Sequence, residues 1–199
     1  MIEHKPPLRL ARPGDARALA ELADQASYGL ALYFWDKLKE PGQTALDAGV
    51  ERAGREEGSF SYRNAIIAEL DGRCAACLIG YPQEENPEPI DHDSMPPMLV
   101  PLQELENMAA DTWYVNVLAA YPDARGKGLG TRLLEAAEQL AREAGKSGLS
   151  LIAEDDNVNA IRLYERFGFR KVATRPIVTE GWITKGKNWI LMTKALPAL

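Results

Sequence analysis

The stretch YVNVLAAYPDARGKGLGT, residues 114–131, decides the fold. Its first half is β-branched, aromatic and small, and 112–120 reads as a strand. Its second half holds Gly126, Gly128 and Gly130 among Arg125, Lys127, Leu129 and Thr131. Beyond it, Leu133, Ala137, Leu140, Ala141 and Ala144 share one helical face, and Gly145 suits the residue after the helix. The spacing therefore predicts a strand, a glycine-rich turn and a helix over 128–144. Glycines let the backbone approach a ligand closely, and the first N–H groups of a helix have no partner within it. With the helix dipole and the cations Arg125, Lys127 and Arg132, this makes an anion site. The plainer reading is a glycine-rich turn that holds nothing. A P-loop is excluded, because no lysine stands between Gly130 and Thr131. The dinucleotide fingerprint fails too: its third glycine would fall on Thr131 or Leu133.

Working outward, LRLAR (8–12) reads as a strand, and Pro13-Gly14-Asp15 starts a helix with Asp15 as N-cap. Residues 28–58 are helical in pieces, broken at Pro41-Gly42. YRNAIIAEL, Asp71-Gly72 and RCAACLIGY together signal a β-hairpin. Residues 82–101 hold six of the 13 prolines and read as an irregular loop. LQELENMA is a short amphipathic helix, GLSLIAE a buried strand, and 157–167 a helix ended by Gly168. Residues 169–175 and 188–194 are further strands. Strands alternating with helices in the second half predict an α/β core with a parallel pair.

Two motifs then stand at matched spacing. Arg125, Gly128 and Gly130 fit R-x-x-G-x-G/A. Asn157, Ala160, Leu163, Tyr164, Gly168 and Phe169 fit N-x-x-A-x-x-L-Y-x-x-x-G-F. Over about 60 residues (114–172) the chain resembles the GCN5-related N-acetyltransferase (GNAT) superfamily. The resemblance implies a mixed α/β fold: a central twisted sheet flanked by helices, with two splayed parallel strands, 112–120 and 148–154, forming an acyl-CoA cleft. It implies one such domain over 1–199, carrying an acidic, proline-rich insert at about 82–111.

The same resemblance implies roles. Acetyl-CoA would be the co-substrate. The backbone of Leu118 and Ala120 would pair with its pantetheine amides, and an amide near Leu118 would polarise the thioester carbonyl. The N–H groups of Gly126, Lys127, Gly128, Leu129, Gly130 and Thr131, beside Arg125, would hold the pyrophosphate. Asn157 would bond the pantetheine arm, although helix capping alone accounts for an Asn there. Tyr164 would be the general acid that protonates the departing thiolate; the alternative is core packing with Leu163 and Phe167. An amine acceptor would attack the thioester directly, after losing its proton. Glu104, Glu106, Asp111 and Asn116 lie near the central strand, and Glu106, acting through water, is the base we select. Family members are often dimers, so a homodimer is compatible with the resemblance. The competing function is a CoA-binding regulatory or interaction module without turnover.

Composition narrows the classes. The chain has 199 residues, is 46% hydrophobic and carries a net charge of −6. That length and apolar content describe a globular chain rather than a disordered one. The charge disfavours nucleic acid as a partner. No apolar stretch is long enough for a membrane helix and no signal peptide opens the chain, so a cytoplasmic location is expected. Cys74 and Cys77 sit in an apolar strand rather than at a helix N-terminus, and no four-ligand metal spacing exists, so neither redox chemistry nor a metal is expected. The charge is uneven. Glu84, Glu85, Glu88, Asp91, Asp93, Glu104, Glu106 and Asp111 give 82–111 a charge of −8 with no Lys or Arg, and leave +2 for the rest. In the resembled fold this connection borders the acceptor site, where an acidic wall would concentrate cationic amines. A solvated loop is the alternative. Tyr28, Tyr33, Phe34 and Trp35 would line an acceptor pocket or belong to the core.

Overall fold

An Asp-Gly pair between two apolar runs demands a tight hairpin, and the chain makes one. Asp71 and Gly72 both adopt left-handed backbone (φ 52° and 73°), as the favoured two-residue turn requires. They join β2 (Ala65–Leu70) to β3 (Arg73–Pro82) in antiparallel register. The computed structural model describes residues 7–87 and 89–197, so His4 and Glu88 lie outside the described residues. Among these residues seven strands form one mixed sheet flanked by helices, in the order β1-β2-β3-β4-β5-β7-β6. The chain divides into two compact units, Met1–Tyr81 with Asn116–Ala136, and Pro82–Val115 with Ala137–Leu199.

In the first unit, β1 (Leu8–Leu10) pairs antiparallel with β2. α1 (Ala16–Ala26) buries Ala16, Leu19, Ala20 and Ala23, the one-face spacing that its sequence prescribes. α2 (Leu30–Leu38) and α3 (Ala45–Ala53) follow, separated by a turn at Pro41-Gly42. Thr44 and Asp47 cap α3 reciprocally: Asp47 N–H donates to Thr44 Oγ1 (3.1 Å), and Thr44 N–H to the Asp47 carboxylate (2.9 Å). Leu19, Leu22, Trp35, Ile67, Cys77, Ile79 and Val117 pack into one apolar cluster. Trp35 is thus core. Asp15 departs from expectation. It stands at the N-cap position of α1 but makes no side-chain cap bond there. Its carboxylate instead takes the Arg12 N–H (2.7 Å) and two N–H groups of Arg9 (2.7 and 2.8 Å), because a guanidinium fork outbids a single amide.

The second unit contains α4 (Val100–Asn107), the start of β4 (Thr112–Ala120), β5 (Gly148–Glu154), α6 (Val158–Phe167), β6 (Arg170–Pro176) and β7 (Asn188–Ala195). β4 and β5 run parallel, with Thr112, Trp113 and Tyr114 opposite Gly148, Leu149 and Ser150. β5 pairs antiparallel with β7 along its whole length. Side chains alternate across a strand. Registered partners share a face, so Tyr114, Ser150, Ile152, Glu154, Leu191 and Trp189 line one side. The Thr112 and Ser150 hydroxyls meet there at 2.6 Å. α4 packs against β5, β6 and β7. α5 (Leu129–Glu143) buries Leu133, Leu134, Ala137 and Ala141 and ends at Gly145, whose φ of 68° stops the helix.

Candidate active site

The glycine-rich turn lies in the first unit. Gly126 and Gly128 hold φ of 74° and 77°, a conformation that side chains with a Cβ avoid. A Cβ added to either would meet nothing within 4 Å, so the turn is open to a ligand on that side. The Arg132 N–H donates to Gly128 O (3.2 Å). By helix geometry, the amides just before it precede the first intrahelical bond. Arg125, Lys127 and Arg132 are exposed around them. Arg125 Nε also donates to Ala120 O (3.2 Å), tying the turn back to β4. Leu118 and Ala120 are half-buried on β4, on the face opposite Val117, which enters the apolar cluster. The structure thus brings Leu118, Ala120 and the 125–131 turn together in one unit, with an exposed Asn116 on the same strand.

Glu106, Asn157 and Tyr164 lie in the second unit. Glu106, near the C-terminal end of α4, is half-buried. It accepts from Gln83 Nε2 (3.4 Å) and from the Tyr114 hydroxyl. Burial nevertheless outweighs both bonds and pushes the carboxyl up from its ordinary value. The neighbouring acids are otherwise engaged. Glu104 pairs with Arg175 on β6, and Asp111 with Lys146 Nζ (3.3 Å). Of the three acids weighed as a base, Glu106 alone is not in an ion pair with these cations. The sequence did not single out Gln83, Tyr114 or Arg175. The period-2 alternation of β4 could have placed Tyr114, but Arg175 stands 71 residues from its partner.

Asn157 caps α6: its Oδ1 accepts from the Ala160 N–H (3.3 Å). Tyr164 is buried, with its ring 5.9 Å from that of Phe169, and Gly168 ends the helix with φ 103°. Asn157 thus caps its helix, and the Tyr164 ring packs beside Phe169.

Cys74 and Cys77 are free thiols on β3, Cys77 fully within the core. Burial raises Cys74 to about 11 and Cys77 well above its ordinary value, so neither is a ready thiolate. Of the acidic connection, Glu84, Glu85, Asp91 and Asp93 are exposed. Among the described residues, no helix is long and apolar enough to cross a membrane.

A mycothiol acetyltransferase from Beutenbergia cavernae is 35% identical over 160 residues, which are 80% of this chain and 51% of that protein. The chain thus spans about half the length of that relative, and smaller shares of others of the same name. A crystal structure described as an acetyltransferase has a similar fold, with a TM-score of 0.65 at 22% identity over 96% of this chain and 99% of that one. A putative streptothricin acetyltransferase from Bacillus anthracis, solved with acetyl coenzyme A, aligns with a TM-score of 0.50 at 20% identity, covering 66% of this chain and 61% of that one. The family model for the acetyltransferase (GNAT) family matches residues 30–169, and the chain belongs to that family.

Proposed function

We propose that the protein transfers the acetyl group of acetyl-CoA directly to a primary amine of a small molecule or peptide. The observation that carries this reading is the open, left-handed glycine turn at 126–128, opening α5 beside Arg125, Lys127 and Arg132. Its amides and cations suit a pyrophosphate. Leu118 and Ala120 would offer strand backbone to the pantetheine arm. Relatives named acetyltransferases support acetyl over longer acyl groups.

Glu106, through a water molecule, takes a proton from the amine, and its raised affinity for protons suits that task. The amine nitrogen attacks the thioester carbonyl, forming the C–N bond as the C–S bond breaks. Tyr164 supplies a proton to the departing thiolate. A phenol, ordinarily protonated up to about pH 10, holds that proton at neutral pH. Both groups are reset by exchange with solvent. The exposed Glu84, Glu85, Asp91 and Asp93 would favour cationic acceptors.

The test is acetyl-CoA-dependent thermal stabilisation together with release of CoA thiol over a panel of alkylamines, polyamines, amino sugars and basic peptides. Acetyl-CoA at 100 times Kd should stabilise the fold by about 2.7 kcal/mol. Amine-dependent thiol release should follow, falling on the order of 10²-fold or more in Tyr164→Phe. Stabilisation with no release for any amine would leave only a CoA-binding module. Neither response would defeat the reading outright.

A further inference from the structure

One buried carboxyl takes no part in the chemistry above. Glu154 ends β5 and is 4% exposed. Its Oε2 accepts from the Thr184 hydroxyl, while Oε1 is buried with no hydrogen-bond partner. Thr184 belongs to the segment 177–187 that connects β6 to β7. That segment is pinned at its base: Ile177 N–H donates to Lys187 O (2.9 Å), and Lys187 N–H to Asp155 Oδ1 (2.8 Å). Above the base, two features tie it to the sheet. One is the Thr184–Glu154 bond. The other is Trp182, whose ring stacks on Trp189 of β7 at 6.0 Å and 3°. Gly186 passes so close that a Cβ there would lie 2.6 Å from Glu154 Oε2. Val178 and Ile183, apolar and exposed, face outward from the same segment.

The register sets where this strap sits. Glu154, Trp189 and Arg175 are successive partners across β5, β7 and β6, so they form one row on one face. Arg175 binds Glu104 of α4, the helix that carries Glu106. On β5 the row lies four residues beyond Ser150, the partner of Tyr114, or about 13 Å at ~3.3 Å per residue. The strap therefore covers the far part of the face whose near part holds the Tyr114–Glu106 pair. Trp189 Nε1, an indole N–H on the residue directly opposite Glu154, is likewise buried without a partner. A buried carboxyl with one oxygen bonded to the strap and the other unbonded is easily released from it, since the loss of that one contact frees the whole group.

We propose that Glu154 is the latch that seats the 177–187 strap as one wall of the acceptor site, making it a positioning residue for acceptor specificity. This rests on the acetyltransferase reading for its substrate, but the latch itself is measurable without any substrate. In the full-length protein, trypsin reports strap opening by cleavage at Lys185 and Lys187, and near-ultraviolet circular dichroism reports the Trp182–Trp189 stack. Thr184→Val, which removes only the hydroxyl donor, should be cut at least tenfold faster than wild type and lose the stacked-indole signal. Gly186→Ala, whose Cβ would crowd the same carboxylate oxygen that Thr184 bonds, should do the same. Glu154→Gln, which keeps an acceptor for Thr184, should fall between. In turnover, Thr184→Val should raise KM for the amine at least fivefold, with kcat and KM for acetyl-CoA within twofold of wild type. Wild-type cleavage and dichroism in both Thr184→Val and Gly186→Ala would overturn the latch. A loosened strap with an unchanged amine KM would overturn its role in specificity. Absence of amine-dependent thiol release in wild type would defeat the acetyltransferase reading, while cleavage and dichroism would still decide the latch.

Discussion

Two acids two residues apart on α4 meet different surroundings. Glu104 faces Arg175 and is fixed in an ion pair. Glu106 meets Gln83 and Tyr114, neutral donors too weak to offset its burial, and its affinity for protons rises. As the proposed base, Glu106 works only when ionised, so kcat/KM should climb as pH rises through a value above the ordinary one for a glutamate. Glu106→Gln should remove that limb and lower the rate about 10²- to 10⁴-fold. A pH profile measured at saturating acetyl-CoA checks both outcomes. The position of Glu106 was legible from its place before the central strand. What tunes it was not, because Gln83 lies 23 residues away and its contact depends on how the 83–99 connection folds back. Glu154 escaped notice for the same reason. In sequence it is one acid of three in a row, and only the strap over it makes it unusual.

At the scale of elements, local chemistry was the better guide. The Asp71-Gly72 turn, the α6 stop at Gly168 and the apolar stripe of α5 all follow from short-range patterns, and each appears where its residues require it. Asp15 does not, since a partner on β1, Arg9, competes for its carboxylate. Glycines carry a different kind of information. Gly148 starts β5 directly opposite Ala195, and a Cβ there would lie 2.5 Å from the Lys194 carbonyl oxygen. Backbone meets backbone at that point, so no side chain can swing aside. Gly148→Ala should cost about 1–3 kcal/mol. Urea unfolding should show a lower midpoint with an unchanged slope, since the surface exposed on unfolding is the same.

For the molecule as a whole, titratable groups pull stability in opposite directions. Asp15 is held low, chiefly by its hydrogen bonds to Arg9. Its contribution is present above the ordinary carboxylate value and is lost as pH falls through its folded one. Burial holds Glu106 and Glu154 high, so their contribution is present in acid and is lost as pH rises through their folded values. Asp15→Asn should therefore cost about 2 kcal/mol near neutrality, and the gap from wild type should close in acid. Unfolding midpoints measured across pH would show the convergence. The −8 of residues 82–111 also looks different in three dimensions: Arg175 and Lys146 answer two of its charges, leaving a smaller exposed group on the connection. The two cysteines give the fold a built-in reporter. Cys77 is buried and Cys74 half-buried on β3, and burial makes both reluctant to ionise, so the native protein should react slowly with a thiol-reactive dye, whose early colour then counts mainly coenzyme. When the chain opens, two equivalents appear at once, and the same dye becomes a clock for unfolding.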